Sequence, residues 1–164
     1  MVCTALLQAQ FDYGYNVWYR SLTMSFKNKL QCAQNRMIRY IFDCDKRNHV
    51  SFDHFKKLNY LSVKRRIEYL SLSSMYNVFD SSAPMYILKQ FSRSCHKYNT
   101  RRSQNSFTLP NVKSNGHNSF MYNGAKLWND VNFKIPETRD LFKSKCKRYM
   151  MYKIKNEEEN EFVY

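Results

Sequence analysis

Between Ser25 and Phe42 the apolar residues recur at helical rather than strand spacing. At about 100° per residue, Phe26, Leu30, Ala33, Met37 and Ile41 fall on one stripe. Lys29, Arg36 and Arg39 gather on a neighbouring arc, with Tyr40 at the apolar edge nearer those cations and Gln34 at the other edge. The pattern predicts an amphipathic helix capped by Ser25, its stripe in a core and its cations in solvent. Upstream, Leu6, Leu7, Phe11, Tyr15 and Trp18 predict a helix over Thr4 to Trp18, with Gly14 a weak point inside it. Downstream, Ser51 caps a short helix that turns Phe52, Phe55 and Leu58 inward. Ser62 precedes a longer one from Val63 to Phe79, whose predicted buried stripe is Val63, Ile67, Leu70, Ser74 and Val78. Arg65, Arg66, Tyr69, Ser73, Tyr76 and Asn77 lie roughly opposite that stripe. Pro84 then starts a short helix reaching Phe91.

The character changes after Phe91. Residues 92–117 are polar, basic and rich in Ser and Asn, with one expected strand at Phe107 to Leu109. A second strand is expected at Asn118 to Tyr122, followed by a short helix around Ala125 to Val131. Pro136-Glu137-Thr138 opens a last helix, with Asp140 in its first turn and Phe142, Cys146, Tyr149 and Lys153 on one face. The expected fold class is therefore mainly α: a small helical bundle with a polar loop segment holding one or two short strands. Its divisions are a helical region 1–91, a basic loop 92–117, a helical region 118–155 and an acidic tail 156–164.

Composition supports a packed core, since 43% of the 164 residues are hydrophobic and 16% aromatic, with only 3 Gly and 3 Pro. Charge narrows the choice of partner. The chain has 27 Lys and Arg against 13 Asp and Glu, a net of +14. Four of the acids, Glu157, Glu158, Glu159 and Glu161, follow Lys155, so the body before them stands at +18. A body this basic attracts polyanions, and nucleic acid is the commonest of them. The five cysteines are scattered and odd in number, no secretory leader pattern opens the sequence, and no stretch approaches the ~20 apolar residues of a membrane span. Reduced thiols in an intracellular setting, cytoplasm or nucleus and not secreted, are expected.

Chemistry that needs clustered side chains is not evident. Nuclease or polymerase metal sites need grouped carboxylates, and the one close pair, Asp43 with Asp45, is flanked by Lys46 and Arg47. Cys32, Cys44, His49 and His54 match no zinc-finger spacing. Cys95 and His96 lie in the loop without a visible orienting partner. Glycines at 14, 116 and 124 build no phosphate cradle. No cofactor, metal or small-molecule substrate is expected.

A basic, aromatic surface remains. Arg65 and Arg66 beside Tyr69 and Tyr76 offer charge for phosphates and flat rings for unstacked bases. Lys97, Arg101 and Arg102 around Tyr98 repeat that combination, as Lys126 with Trp128 does more weakly.

Several pieces recur in a recognisable order. Phe11-Asp12-Tyr13-Gly14 and Val17-Trp18 precede Leu30-Gln31-Cys32-Ala33-Gln34-Asn35-Arg36-Met37-Ile38-Arg39. Phe55-Lys56-Lys57-Leu58-Asn59-Tyr60-Leu61-Ser62-Val63, Arg65-Arg66-Ile67, Met75-Tyr76-Asn77 and Ala83-Pro84 follow. Tyr98-Asn99-Thr100-Arg101, Leu109-Pro110, Tyr122-Asn123-Gly124-Ala125-Lys126-Leu127-Trp128-Asn129 and Phe142-Lys143 close the series. Over nearly its whole length the chain thus resembles the C-terminal part of reverse transcriptases encoded by non-LTR (LINE-type, jockey-like) retrotransposons. The resemblance implies the thumb and the helical region after it, which in that family holds template and primer. The family's catalytic acids, including the Tyr-x-Asp-Asp turn of the palm, have no counterpart in these residues, and Asp130-Val131 stands where Leu-Pro usually follows Trp-Asn. No polymerase residue carries over, and a truncated or relic copy, or a gene model of the last exon alone, is expected.

The leading expectation is a nucleic-acid-binding C-terminal fragment of an RNA-directed DNA polymerase, without a catalytic centre of its own. It would grip an RNA or DNA backbone through Arg36, Arg39, Arg65, Arg66, Tyr69, Lys97, Tyr98, Arg101, Arg102 and Lys126, with the missing upstream palm as a further partner. The alternative is a non-catalytic helical interaction or structural remnant of a truncated element. Binding to anionic membranes ranks last, the Arg and Tyr faces being too polar for deep insertion.

Overall fold

The computed structural model describes residues 8–93, 106–131, 135 and 138–161. It is mainly helical. The longer helices are α1 (Met24–Ile41), α2 (Phe52–Leu58), α3 (Val63–Phe79), α4 (Phe120–Asn129) and α5 (Arg139–Glu161). They belong to two compact units, one built from residues up to Tyr69 and from Lys145 onward, the other from Leu70–Ser144.

In the first unit the predicted helix over Thr4 to Trp18 is broken at its glycine. Residues 8–12 are helical, Gly14 takes a left-handed conformation (φ 60°), and one turn, Tyr15–Trp18, follows with a 3-10 turn at Tyr19–Ser21. Glycine bears that φ without the Cβ clash that penalises other residues. α1 starts two residues earlier than expected, at Met24, with Thr23 and not Ser25 at the N-cap. α2 is capped as predicted: Ser51 accepts from the amide of His54, whose Nδ1 in turn accepts from the Ser51 amide at 3.2 Å. Met37, Ile38, Val50 and Phe55 form a core cluster over which Phe42, Leu58 and Tyr60 pack.

The buried face of α1 differs from the predicted stripe. Gln34, Met37 and Ile38 are its buried residues, whereas Phe26, Ala33 and Ile41 are exposed. The helix is rotated towards Gln34 because that side chain is 2% exposed and hydrogen-bonded, donating to the Leu61 carbonyl at 2.8 Å. Gln31, one turn back, donates to Gln34 Oε1 at 3.0 Å and accepts from the amide of Val63 at 3.0 Å. Two polar residues therefore line the seam between α1 and the start of α3, one of them capping α3 from outside its own chain segment.

The second unit is held by rings. Trp128 of α4 lies 5.5 Å from Phe142, 5.2 Å from Phe79 and 5.9 Å from Phe107 between ring centres, and Tyr76 packs on Phe142 at 4.7 Å. Gly124 lies against Met75, whose Sδ would stand 2.9 Å from an added Cβ, so this glycine permits the close approach of α4 to α3. The expected strands are absent among the described residues. Phe107 makes an isolated antiparallel bridge to Arg93, and in place of the second strand Asn118 ends a 3-10 turn and Phe120–Tyr122 open α4, with Ser119 accepting from Tyr122 as its N-cap. Phe107 instead pairs with a side chain: Asn129 accepts from its amide at 2.9 Å and donates to its carbonyl at 2.8 Å. The Met85–Leu88 turn that Pro84 opens is shorter than predicted.

Candidate nucleic-acid interface

α3 is buried around most of its circumference, and this redistributes the predicted contact residues. Arg65 is only 8% exposed. Its guanidinium meets Glu68 at 2.5 Å and Glu157 of α5 through Nε at 3.2 Å, with a second contact from its terminal nitrogen to Glu157. Burial alone would lower the pKa of Arg65, but the charges and hydrogen bonds of Glu68 and Glu157 outweigh it and raise it. Arg66 forms a two-pronged pair with Asp12, Nε to Oδ1 at 3.0 Å and a terminal nitrogen to Oδ2 at 2.6 Å. That hydrogen bonding raises the Arg66 pKa against the opposing effect of burial. Its guanidinium also lies 5.8 Å from the ring centre of Tyr69.

Arg65 and Arg66 are therefore committed to internal carboxylates, and their fixed charge is already neutralised. Tyr76 and Trp128, expected beside cations, are core rings of the second unit. Lys97, Tyr98, Arg101 and Arg102 lie outside the described residues. Lys126 is exposed on α4, in the second unit. Arg39 is half-buried and donates from Nε to the Asn48 carbonyl at 2.7 Å, closing the turn after α1. Arg36 remains in solvent.

The acidic end of the chain has a structural part in this arrangement. α5 continues through Asn156 to Glu161, and Glu157 joins Arg65 to Lys64, whose Nζ lies 3.2 Å from its carboxylate. Burial would raise the Glu157 pKa, but the hydrogen bonds and charges of Arg65 and Lys64 hold it below the usual carboxylate range. Glu158 accepts from the Phe52 amide at 2.8 Å, at the start of α2. A cleft of about 830 Å³ opens beside these groups. Arg20, Lys27 and Lys64 on its lining are matched by Glu68, Glu157 and Glu158, so its walls do not select an anion.

Sequence reasoning gathered Lys29, Arg36 and Tyr40 on one side of α1 but placed Phe26 in the core stripe instead of on that outer face. Phe26 is 54% exposed and Tyr40 78% exposed, and Lys29 and Arg36 stand in solvent between them. Lys29 Nζ lies 5.1 Å from the Phe26 ring centre. α1 carries Lys27, Lys29, Arg36 and Arg39 and no Asp or Glu at all, unlike α3 and α5. That acid-free run is visible in the sequence and was the available signal.

Among the described residues no three His, Cys, Asp or Glu side chains converge on a metal-sized space. Asp43 sits in a left-handed turn (φ 50°), and Asp45 accepts from the Arg47 amide. His54 is engaged by Ser51 and packs edge-on against Phe42 at 5.1 Å. No described helix is long and apolar enough to cross a membrane. Compared with family models, curated proteins and solved structures, the chain finds no match.

Proposed function

We propose that this chain binds nucleic acid through phosphate contacts, as the thumb and C-terminal fragment of a non-LTR retrotransposon reverse transcriptase without a catalytic centre of its own. The observation that supports this best is where the charge lies. The internal acids Asp12, Glu68 and Glu157 are spent on Arg65, Arg66 and Lys64, while α1 turns cations outward with no acid among them. A net charge of +14 adds a long-range attraction for any polyanion. The retrotransposon origin rests on the ordered motifs from Phe11-Asp12-Tyr13-Gly14 to Phe142-Lys143. Gel-shift titration of the full chain with single-stranded and duplex RNA and DNA tests the binding: a shift at low salt supports it, and none with any of the four contradicts it. Reading the transcript upstream of Met1 tests the origin, which predicts an in-frame palm with paired aspartates or its decayed remains.

A further inference from the structure

Resting on that reading, we infer that the outer face of α1 is a track for single-stranded nucleic acid, with Phe26 and Tyr40 stacking unpaired bases and Lys29 and Arg36 holding phosphates between them. The positions 26, 29, 33, 36 and 40 advance by alternating steps of three and four residues, so they form one line along a helix. On that line the order is ring, cation, small residue, cation, ring: Phe26, Lys29, Ala33, Arg36, Tyr40. All five are exposed, on the side of α1 away from the buried Gln34 and Ile38. The two rings stand fourteen residues apart, about 21 Å at the helical rise, a span of several nucleotides.

The chemistry selects the occupant. An apolar partner helix would leave Lys29 and Arg36 facing a dry surface without counter-charges, since α1 supplies none. A duplex would satisfy the cations but hide its bases, leaving two large exposed rings without use. A single strand offers both, because its phosphates meet the cations and its free bases lie flat on rings. Ala33 keeps the centre of the line low, so a backbone passes between the two cations unobstructed.

The test uses the full chain with labelled oligouridylate and with an RNA duplex of equal length. Phe26→Ala with Tyr40→Ala is expected to weaken oligouridylate binding about tenfold or more per ring, and duplex binding far less. Tyr40→Phe, which keeps the ring, restores Tyr40's share. Lys29→Gln with Arg36→Gln is expected to weaken both ligands and flatten the logarithmic salt slope for the single strand by about 1.4. All four side chains are exposed, so circular dichroism should show the wild-type helix content throughout. If the wild-type chain binds neither ligand, the reading of the whole protein fails. If it binds but these variants bind equally well, the α1 track is overturned and the reading survives. Loss of affinity from the cation changes alone also overturns the track, leaving a phosphate contact without stacking. A dimer that Phe26→Ala and Tyr40→Ala dissociate in high salt would assign the face to a second copy of the chain instead.

Discussion

Gln34 donates its side-chain amide to the Leu61 carbonyl across 2.8 Å in a nearly water-free seam. The bond fixes the rotation of α1 and so decides which of its residues face the core and which face solvent. Phe26 and Tyr40 are exposed because Gln34 is not.

Gln34→Ala is therefore expected to destabilise the chain by about 2 kcal/mol, since it removes the donor from the buried Leu61 carbonyl. Gln34→Met fills the volume but does not restore the bond, and is expected to cost nearly as much. Urea unfolding followed by circular dichroism measures both, and a loss of only a few tenths would show that the seam is hydrated.

The backbone at Gly14 makes a separate, local prediction. An added Cβ would meet Trp18 no closer than 3.6 Å, so space is not the obstacle; the φ of 60° is. Gly14→Ala is expected to cost about 1–2 kcal/mol from the left-handed conformation alone. Gly14→Asn, whose short polar side chain tolerates that region, is expected to cost less. Thermal melts of the two variants compare them directly, and equal stability of Gly14→Ala and wild type would contradict the strained turn.

Much of the fold was legible, and the failures have physical causes. The limits of α3 and the Ser51 cap could be read because their signals are local: a serine, then a helical apolar period. The face of α1 was misread because a buried glutamine counts as polar in any hydropathy pattern, and its partner Leu61 lies 27 residues away. Arg65 and Arg66 looked free for the same reason. Two of their three carboxylates come from Glu157 and Asp12, 92 and 54 residues distant, while the third, Glu68, lies one turn from Arg65. Arg36 could be placed in solvent because it is exposed and no described residue distant in sequence engages it. The strand expected at Asn118 to Tyr122 failed because Ser119 acts as a helix cap, a role that Ser shares with turns and loops.

Acid should loosen the contact between the end of α5 and α3. The Glu157 pKa is depressed in the folded chain, so its contribution to stability is fully present above the ordinary carboxylate range. That contribution is lost as pH falls through the lower, folded value. Melting temperature measured from neutral pH downward is expected to drop less steeply in Glu157→Gln than in wild type. Parallel acid limbs for the two proteins would show that the Arg65–Glu157 pair contributes nothing.

Thiol reactivity separates the described cysteines. Cys146 is fully buried on α5, and burial, with Glu68 adding to it, pushes its pKa up to about 12, so almost no thiolate is present near neutral pH. Cys32 is exposed on α1. Mass spectrometry after brief alkylation of the native chain should find Cys32 modified and Cys146 untouched, with Cys146 reacting once denaturant is added. Early modification of Cys146 would contradict its place in the core.

The central claim is that outward cations, unopposed by the acids that neutralise Arg65 and Arg66, bind a phosphate backbone. Affinity of the full chain for single-stranded RNA across a salt series tests it most directly. A straight double-logarithmic plot is expected, falling by about 0.7 for each phosphate engaged and so with a slope of about −2 or steeper for three contacts. Affinity that stays level from low to physiological salt would contradict it.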